Sequence, residues 1–230
     1  MKDLSGFKNL TGLCRRFFLI FKMISTETTL YPDLYYHIYN HGNASDNIFI
    51  ISDNYNYFLK RYAFFINPIA DTFAYCLLPN HFHFVVRIKS ENEIQTAFKE
   101  KILKENELQL EKFPVFISKQ FSNLFNSYSK AFNKACDRKG KLFRIPFRRK
   151  LISGNAYLLK AIHYVHANPV HHSFVNDMHD WDFSSIHAYE TNRKTHIKKE
   201  EGLQLFDGIE SFRKYHKQPI DAKYKLEMDF

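Results

Sequence analysis

YCLLPNHFHFVVRIK, residues 75–89, decides how the chain is read. At a period of two, Phe82, Phe84, Val86 and Ile88 fall on one face of a strand, while His81, His83, Val85 and Arg87 fall on the other. The first face suits a hydrophobic core. The second carries two imidazoles side by side, because residues i and i+2 of a strand point the same way. Two neutral histidines can share one divalent ion if a third ligand comes from elsewhere. The plain alternative is two surface histidines, so the rest of the chain has to supply a third ligand and a use for a metal.

Outward from this stretch, Pro79-Asn80 is a tight connection, and 72–78 is the antiparallel partner strand. Upstream, YYHIYN (residues 35–40) is an aromatic, β-branched strand ending at the turn His41-Gly42-Asn43. From Ser52, taken as N-cap, Tyr55, Phe58, Leu59, Tyr62 and Phe65 recur at helical spacing. Downstream, 91–111 reads as a charged helix. Ile117, Phe121, Leu124, Phe125, Tyr128 and Phe132 mark a second, more amphipathic one that stops before Gly140. A further helix runs from Asn155 to Asn168 and ends at Pro169. Residues 171–189 read as an irregular aromatic wrap around Trp181, and GLQLFDGIESFRKYHKQ as a short terminal helix before a charged tail.

The organisation expected is an extension over 1–30, a main domain over 31–190, and a C-terminal helix and tail over 191–230. Translation from Met23 and an amphipathic extension are both open readings of the N-terminus. With 230 residues, 45% hydrophobic and 17% aromatic, the chain can build one core. Cys14, Cys76 and Cys136 are far apart and odd in number, which excludes a zinc ribbon or a disulfide framework and points to a reducing cytoplasm. The apolar run 17–21 is too short to span a bilayer, so no membrane partner is expected. An excess of 33 Lys and Arg over 24 Asp and Glu favours a polyanionic partner.

That charge is concentrated. Residues 138–150, RKGKLFRIPFRRK, hold seven basic side chains and no acid: Arg138, Lys139, Lys141, Arg144, Arg148, Arg149 and Lys150. Interleaved with Phe143 and Phe147, they read as an ordered loop lying on a phosphate backbone, against the plain alternative of a solvated charge run.

In AIHYVHANPV, residues 161–170, Tyr164 and Asn168 stand at i and i+4 and share one helical face. Tyrosine supplies a nucleophile, and the amide oxygen is a hard ligand for Mg²⁺ or Mn²⁺. Over the His81/His83 face, this helix gives three metal ligands with a tyrosine beside them. Plainer readings make Tyr164 a core residue and Asn168 a helix cap, and His163, His166, His171 and His172 compete as the third ligand. Tyr128 is the rival nucleophile.

LPNHFHFVV followed by YVHANPV resembles the single-tyrosine HUH transposases of bacterial insertion sequences, and most of all the REP-associated tyrosine transposases. The resemblance spans about residues 35–189 and takes in HIYNHGN, KGKLFRIPFRRK and DWDFSSIHAY. It implies an α+β, ferredoxin-like (RRM-like) antiparallel sheet with helices on one face and a tyrosine-bearing helix beside the metal strand. It also implies metal ligation by His81 and His83, a nucleophilic Tyr164, and Asn168 at the third ligand position. The activity implied is cleavage and rejoining of single-stranded DNA, at hairpin or palindromic ends, through a 5′-phosphotyrosine, with Mg²⁺ or Mn²⁺ and a homodimer as one arrangement. Ser173 departs from a common glycine, and Ile145-Pro146 replaces another. Competing readings are a non-catalytic RRM-like nucleic-acid-binding module and a structural zinc site.

Overall fold

The computed structural model describes residues 28–98 and 112–220. The proposed extension up to residue 27, the later part of the 91–111 helix and the tail from 221 lie outside the described residues. Strand β1 (Tyr35–His41) is followed by helix α1 (Ser52–Ile66) and the hairpin of β2 (Ala70–Leu78) and β3 (His81–Ile88). Then come α2 (Glu91–Ala97), α3 (Phe113–Ala135), β4 (Arg148–Ile152) and α4 (Asn155–His171). The chain closes with α5 (Ile186–Glu190), α6 (Lys199–Leu205) and α7 (Ile209–His216). The strands form one sheet in the order β2-β3-β1-β4, and every neighbouring pair is antiparallel.

Period-two alternation in β3 divides the protein into two layers. Phe82, Phe84, Val86 and Ile88 join Tyr36 and Ile38 of β1 against Tyr55, Phe58 and Tyr62 of α1 and Phe121, Leu124 and Tyr128 of α3. The opposite face, with Ala74, Cys76, Leu78, Val85 and Ile152, packs on Leu158, Ala161, Ile162, Tyr164 and Val165 of α4. Helices therefore cover both faces, with the tyrosine-bearing one packed directly on the histidine side of the sheet.

Several boundaries differ from the sequence reading. Helix α1 begins after Ile51, and Asn54 does the capping, its side-chain oxygen accepting from the backbone of Ile50 and Ile51. Helix α4 runs through Pro169 to His171. A proline so close to the end removes a single backbone bond, and the turn is closed by His172 N donating to Asn168 O and Phe174 N to Pro169 O. Ser173 then adopts φ 58°, a left-handed conformation suited to glycine. The terminal helix is two, broken at Gly208, whose φ of 102° favours glycine. The end of the basic run is a strand: Arg148, Arg149 and Lys150 begin β4.

The wrap around Trp181 covers the outer edge of β2. Leu77 N donates to Phe183 O at 3.0 Å, Ser185 N to Tyr75 O at 2.9 Å, and Trp181 Nε1 to Leu77 O at 2.9 Å. Unpaired edge groups are satisfied this way without another strand.

Helix α4 lies between the sheet and α7. His216 Nδ1 donates to Phe212 O at 2.9 Å, and its Nε2 lies 2.9 Å from His166 Nδ1. Burial pushes the His163 pKa down to about 4 and that of His216 to about 3. Both values lie below the ordinary 6.5 of an unfolded chain, so the folded state binds fewer protons. Their contribution to stability is complete above about pH 6.5 and is lost as pH falls toward 4, at up to about 1.4 kcal/mol per pH unit for each group. Urea unfolding between pH 7.5 and 5 should show midpoints that fall with pH, and His163→Gln should flatten that dependence. An unchanged slope in the variant would show that His163 does not titrate with folding.

Candidate active site

The β1–β3 register builds the site. Tyr39 lies opposite His83, His41 opposite His81, and His37 opposite Val85. Directly paired residues share a face, so β1 adds two imidazoles and a phenol to the histidines of β3. Across β1, Arg148 pairs with Tyr39 and Lys150 with His37. Helix α4 lies over this surface and presents Tyr164 and Asn168, one turn apart, to the same histidines.

The centre is enclosed. His37, Tyr164 and Asn168 are fully buried, and His81 and His83 nearly so. The reading of two surface histidines is therefore wrong: α4 converts a polar strand face into an interior. His81 Nε2 lies 3.1 Å from Asn168 Oδ1. The Tyr164 ring meets His83 edge-on at 5.5 Å and His37 at 6.0 Å between centroids. His83 Nδ1 lies 2.8 Å from His37 Nε2, and His81 Nδ1 lies 2.7 Å from Asn80 Oδ1. Burial, reinforced by the neighbouring imidazoles of His37 and His81, pushes the His83 pKa well below its ordinary value, so the ring is neutral and able to act as a ligand at neutral pH.

These residues suit a hard divalent ion. An amide oxygen at Asn80 accepts from His81 Nδ1, which leaves the Nε2 lone pair facing the Asn168 carbonyl oxygen. Two acceptors at that separation are drawn together by a cation. Asn168 Nδ2 is buried and has no hydrogen-bond partner. Turning the amide over would let Nδ2 donate to His81, so the pair has one arrangement with an ion and another without. Among the described residues no group of three or more His, Cys, Asp or Glu side chains could hold a metal. The set His81, His83 and Asn168 is two imidazoles and an amide, leaving further positions to water or substrate oxygens.

The other histidines are sorted by α4. His163 and His166 are on the side facing α7, away from His81. His172 meets the His81 ring edge-on at 4.6 Å, and His41 lies nearly parallel to it at 4.8 Å. Together they form the rim of the site, with His172 exposed. Beside His41 a cleft of about 440 Å³ is lined by Tyr39, Asn40, Asn43, Arg144, Ile145 and Arg148. Tyr128 lies across the sheet in the other layer, its hydroxyl donating to Ile48 O, and burial raises its pKa.

The basic segment splits into separate groups. Arg148 and Lys150 belong to the histidine face, and Arg144 and Arg148 line the cleft. Lys139 and Lys141 are exposed on the preceding loop. Arg138 is engaged internally, pairing with Asp46 and donating to Asn133 Oδ1 and Lys141 O. Arg149 points to the opposite face, donating to Ser118 Oγ at 2.8 Å with its guanidinium over Phe147. Phe143 and Phe147 are buried against Phe82, Phe121 and Phe125, so they are core residues and offer no stacking surface.

His37 and Asn80 belong to the centre, although the sequence reading gives Asn80 no role and takes His37 only as a first-strand residue that could face the site. The usable signal is the alternation His37, Tyr39, His41 in β1, but its meaning depends on the β1–β3 register.

No family model matches the chain. Over 119 residues it is 28% identical to a curated protein of Haemophilus influenzae named as a REP-associated tyrosine transposase. The match takes in 51% of this chain and 59% of that relative's length. A solved structure of a REP-associated tyrosine transposase bound to a REP hairpin superposes with a TM-score of 0.51 at 17% identity, covering 74% of this chain and 87% of the other. In both sequence and fold the chain resembles the REP-associated tyrosine transposases. Among the described residues, no helix is long and apolar enough to cross a membrane.

Proposed function

We propose that the protein is a single-tyrosine DNA strand transferase that cleaves and rejoins single-stranded DNA at hairpin ends, on a ferredoxin-like sheet. The observation that carries this reading is the convergence of Tyr164 and Asn168 of α4 on His81 and His83 of β3. A non-catalytic RRM-like module would use the sheet as an open stacking platform, whereas here α4 covers that face. The solved relative bound to a REP hairpin suggests the same class of ligand.

In the reaction proposed, the Tyr164 oxygen attacks the scissile phosphorus and the bond from phosphorus to the 3′-oxygen breaks. The phenolic proton is lost, the 3′-hydroxyl leaves with a proton, and the 5′-phosphate remains on the tyrosine. Attack by a 3′-hydroxyl on this ester rejoins a strand without a nucleotide cofactor. His81, His83 and Asn168 would hold Mg²⁺ or Mn²⁺, which when bound supplies charge stabilisation at the phosphoryl oxygens. Arg148, Lys150 and Arg144 are placed to draw the backbone along the cleft toward the His41/His172 rim. Tyr164 is fully buried, so its oxygen has to be uncovered, by displacement of α4 or of the rim, before it reaches phosphorus.

Chelation should abolish cleavage of a single-stranded hairpin substrate, and Mn²⁺ should restore it. His81→Ala should lose Mn²⁺ binding yet stay folded, because its ring borders the His41/His172 rim, from which water can fill the space it leaves. His83→Ala should also lower the melting temperature, since it leaves His37 facing a cavity. Full activity in excess EDTA would refute the metal assignment.

Arg148→Ala with Lys150→Ala should weaken binding to all single strands alike and flatten the log–log salt dependence by about 0.7 for each phosphate no longer neutralised. Arg138→Ala should instead destabilise the loop and leave the slope unchanged. Equal slopes for the wild type and the double variant would remove these two residues from the DNA path.

Tyr164→Phe should bind DNA and Mn²⁺ like the wild type and form no covalent adduct. Tyr128→Phe should keep forming it. Peptide mapping of the adduct decides between them, and a nucleotide on any other tyrosine rules out the mechanism.

A further inference from the structure

Each candidate ligand histidine makes its second contact through Nδ1. His81 Nδ1 is 2.7 Å from Asn80 Oδ1, and His83 Nδ1 is 2.8 Å from His37 Nε2. We propose that Asn80 and His37 are positioning residues that preset both imidazoles in one tautomer, with hydrogen on Nδ1 and the lone pair on Nε2. This rests on the reading of His81 and His83 as ligands. An imidazole side chain in water favours hydrogen on Nε2, so without these partners each ring would have to move its proton before binding an ion. Hydrogen-bonded partners of this kind fix the ring orientation and tautomer of metal-bound histidines.

Both partners are held by the fold. Asn80 sits in the β2–β3 turn. There its backbone oxygen accepts from Gly42 N at 2.7 Å, and Pro79 O accepts from Ile48 N and Phe49 N. Gly42 can approach because it has no side chain; a Cβ there would lie 2.0 Å from Asp46 O. An amide oxygen only accepts, so with Oδ1 toward the ring His81 must donate from Nδ1.

His37 is opposite Val85, one diagonal step from His83, and its ring lies nearly parallel to those of two neighbours. It lies 4.8 Å from Tyr39 at an interplanar angle of 15° and 5.0 Å from His83 at 9°. The His37 and His83 rings are nearly coplanar with the nitrogens 2.8 Å apart, so His37 Nε2 points in the ring plane at His83 Nδ1. With that nitrogen accepting, His83 carries its hydrogen on Nδ1 and leaves Nε2 unprotonated. The two acceptors come from different elements, a turn and a neighbouring strand, and act on the same ring atom of two consecutive face positions.

The test is long-range ¹H–¹⁵N NMR of the metal-free protein, read together with Mn²⁺ titration of the same samples. Both His81 and His83 should show hydrogen on Nδ1. Asn80→Ala and His37→Leu should weaken Mn²⁺ binding about 10- to 100-fold, and their ring signals should move toward the other tautomer. Asn80→Asp and His37→Gln keep an acceptor and should stay within a few-fold of the wild type. Hydrogen on Nε2 of either ring in the wild type would overturn the assignment, a result that needs no variant to fold. So would unchanged Mn²⁺ affinity in both Asn80→Ala and His37→Leu. A wild type with both hydrogens on Nδ1 but no Mn²⁺ binding would overturn the metal reading and leave the tautomer assignment standing.

Discussion

The structure depends on the burial of a polar strand face. Strand β3 gives its apolar side to α1 and α3, as an alternating strand should. Its other side, with two imidazoles, is also closed off, by α4. Burying a polar group without a hydrogen bond costs a few kcal/mol, so each ring has to find partners within the fold. His37 and Asn80 meet that need, and Asn168 meets it with its amide turned over or through a shared cation. Much of the surrounding architecture follows. β1 runs antiparallel beside β3 so that its own histidines enter the same layer, and the β2–β3 turn is pinned so that Asn80 reaches back.

This constraint also explains why α4 is buried on nearly all sides from Ala161 to Pro169. It buries Leu158, Ala161, Ile162 and Val165 toward the sheet, while His163 and His166 face α7. A helix buried over most of its length shows little contrast between a wet and a dry face. In the sequence it is marked by the apolar positions Leu158, Leu159, Ile162 and Val165 before Pro169, and its role by chemistry: Tyr164 and Asn168 at helical spacing, above imidazoles at strand spacing.

Periodicity made the first three strands and the two long helices legible, because each has one clear apolar face. It failed where tertiary context outweighs local preference. Arg148 and Arg149 look like loop residues and are in a strand, because Arg148 shares the site face and Arg149 reaches Ser118 on the other. Pro169 looks like a stop, but a proline in the last turn is tolerated when the carbonyls around it find other donors. Gly208 divides the terminal helix through its backbone conformation, which a count of apolar positions does not register. At the site, His81, His83, Tyr164 and Asn168 could be chosen from the sequence because each lies at a fixed spacing from another. Arg138 could not be separated from the other basic residues, since its Asp46 partner is 92 positions away.

The same reasoning places charge around the centre. Burial keeps the His83 ring neutral, so it offers phosphate no charge of its own, and the protein's cations stand around the centre instead. Arg148 and Lys150 stand next to Tyr39 and His37 on the strand that borders β1, one pairing step from the imidazoles. Arg144 stands across the cleft, its backbone oxygen accepting from Asn40 Nδ2 at 3.0 Å. Cations so placed act at short range and are screened less than scattered surface lysines. The aromatic residues of the same segment point inward and hold β4 and its loop against α3. Phe143, Phe147 and the cations therefore form one device: the rings fix the loop to the core, and the loop carries positive charge to the edge of the site.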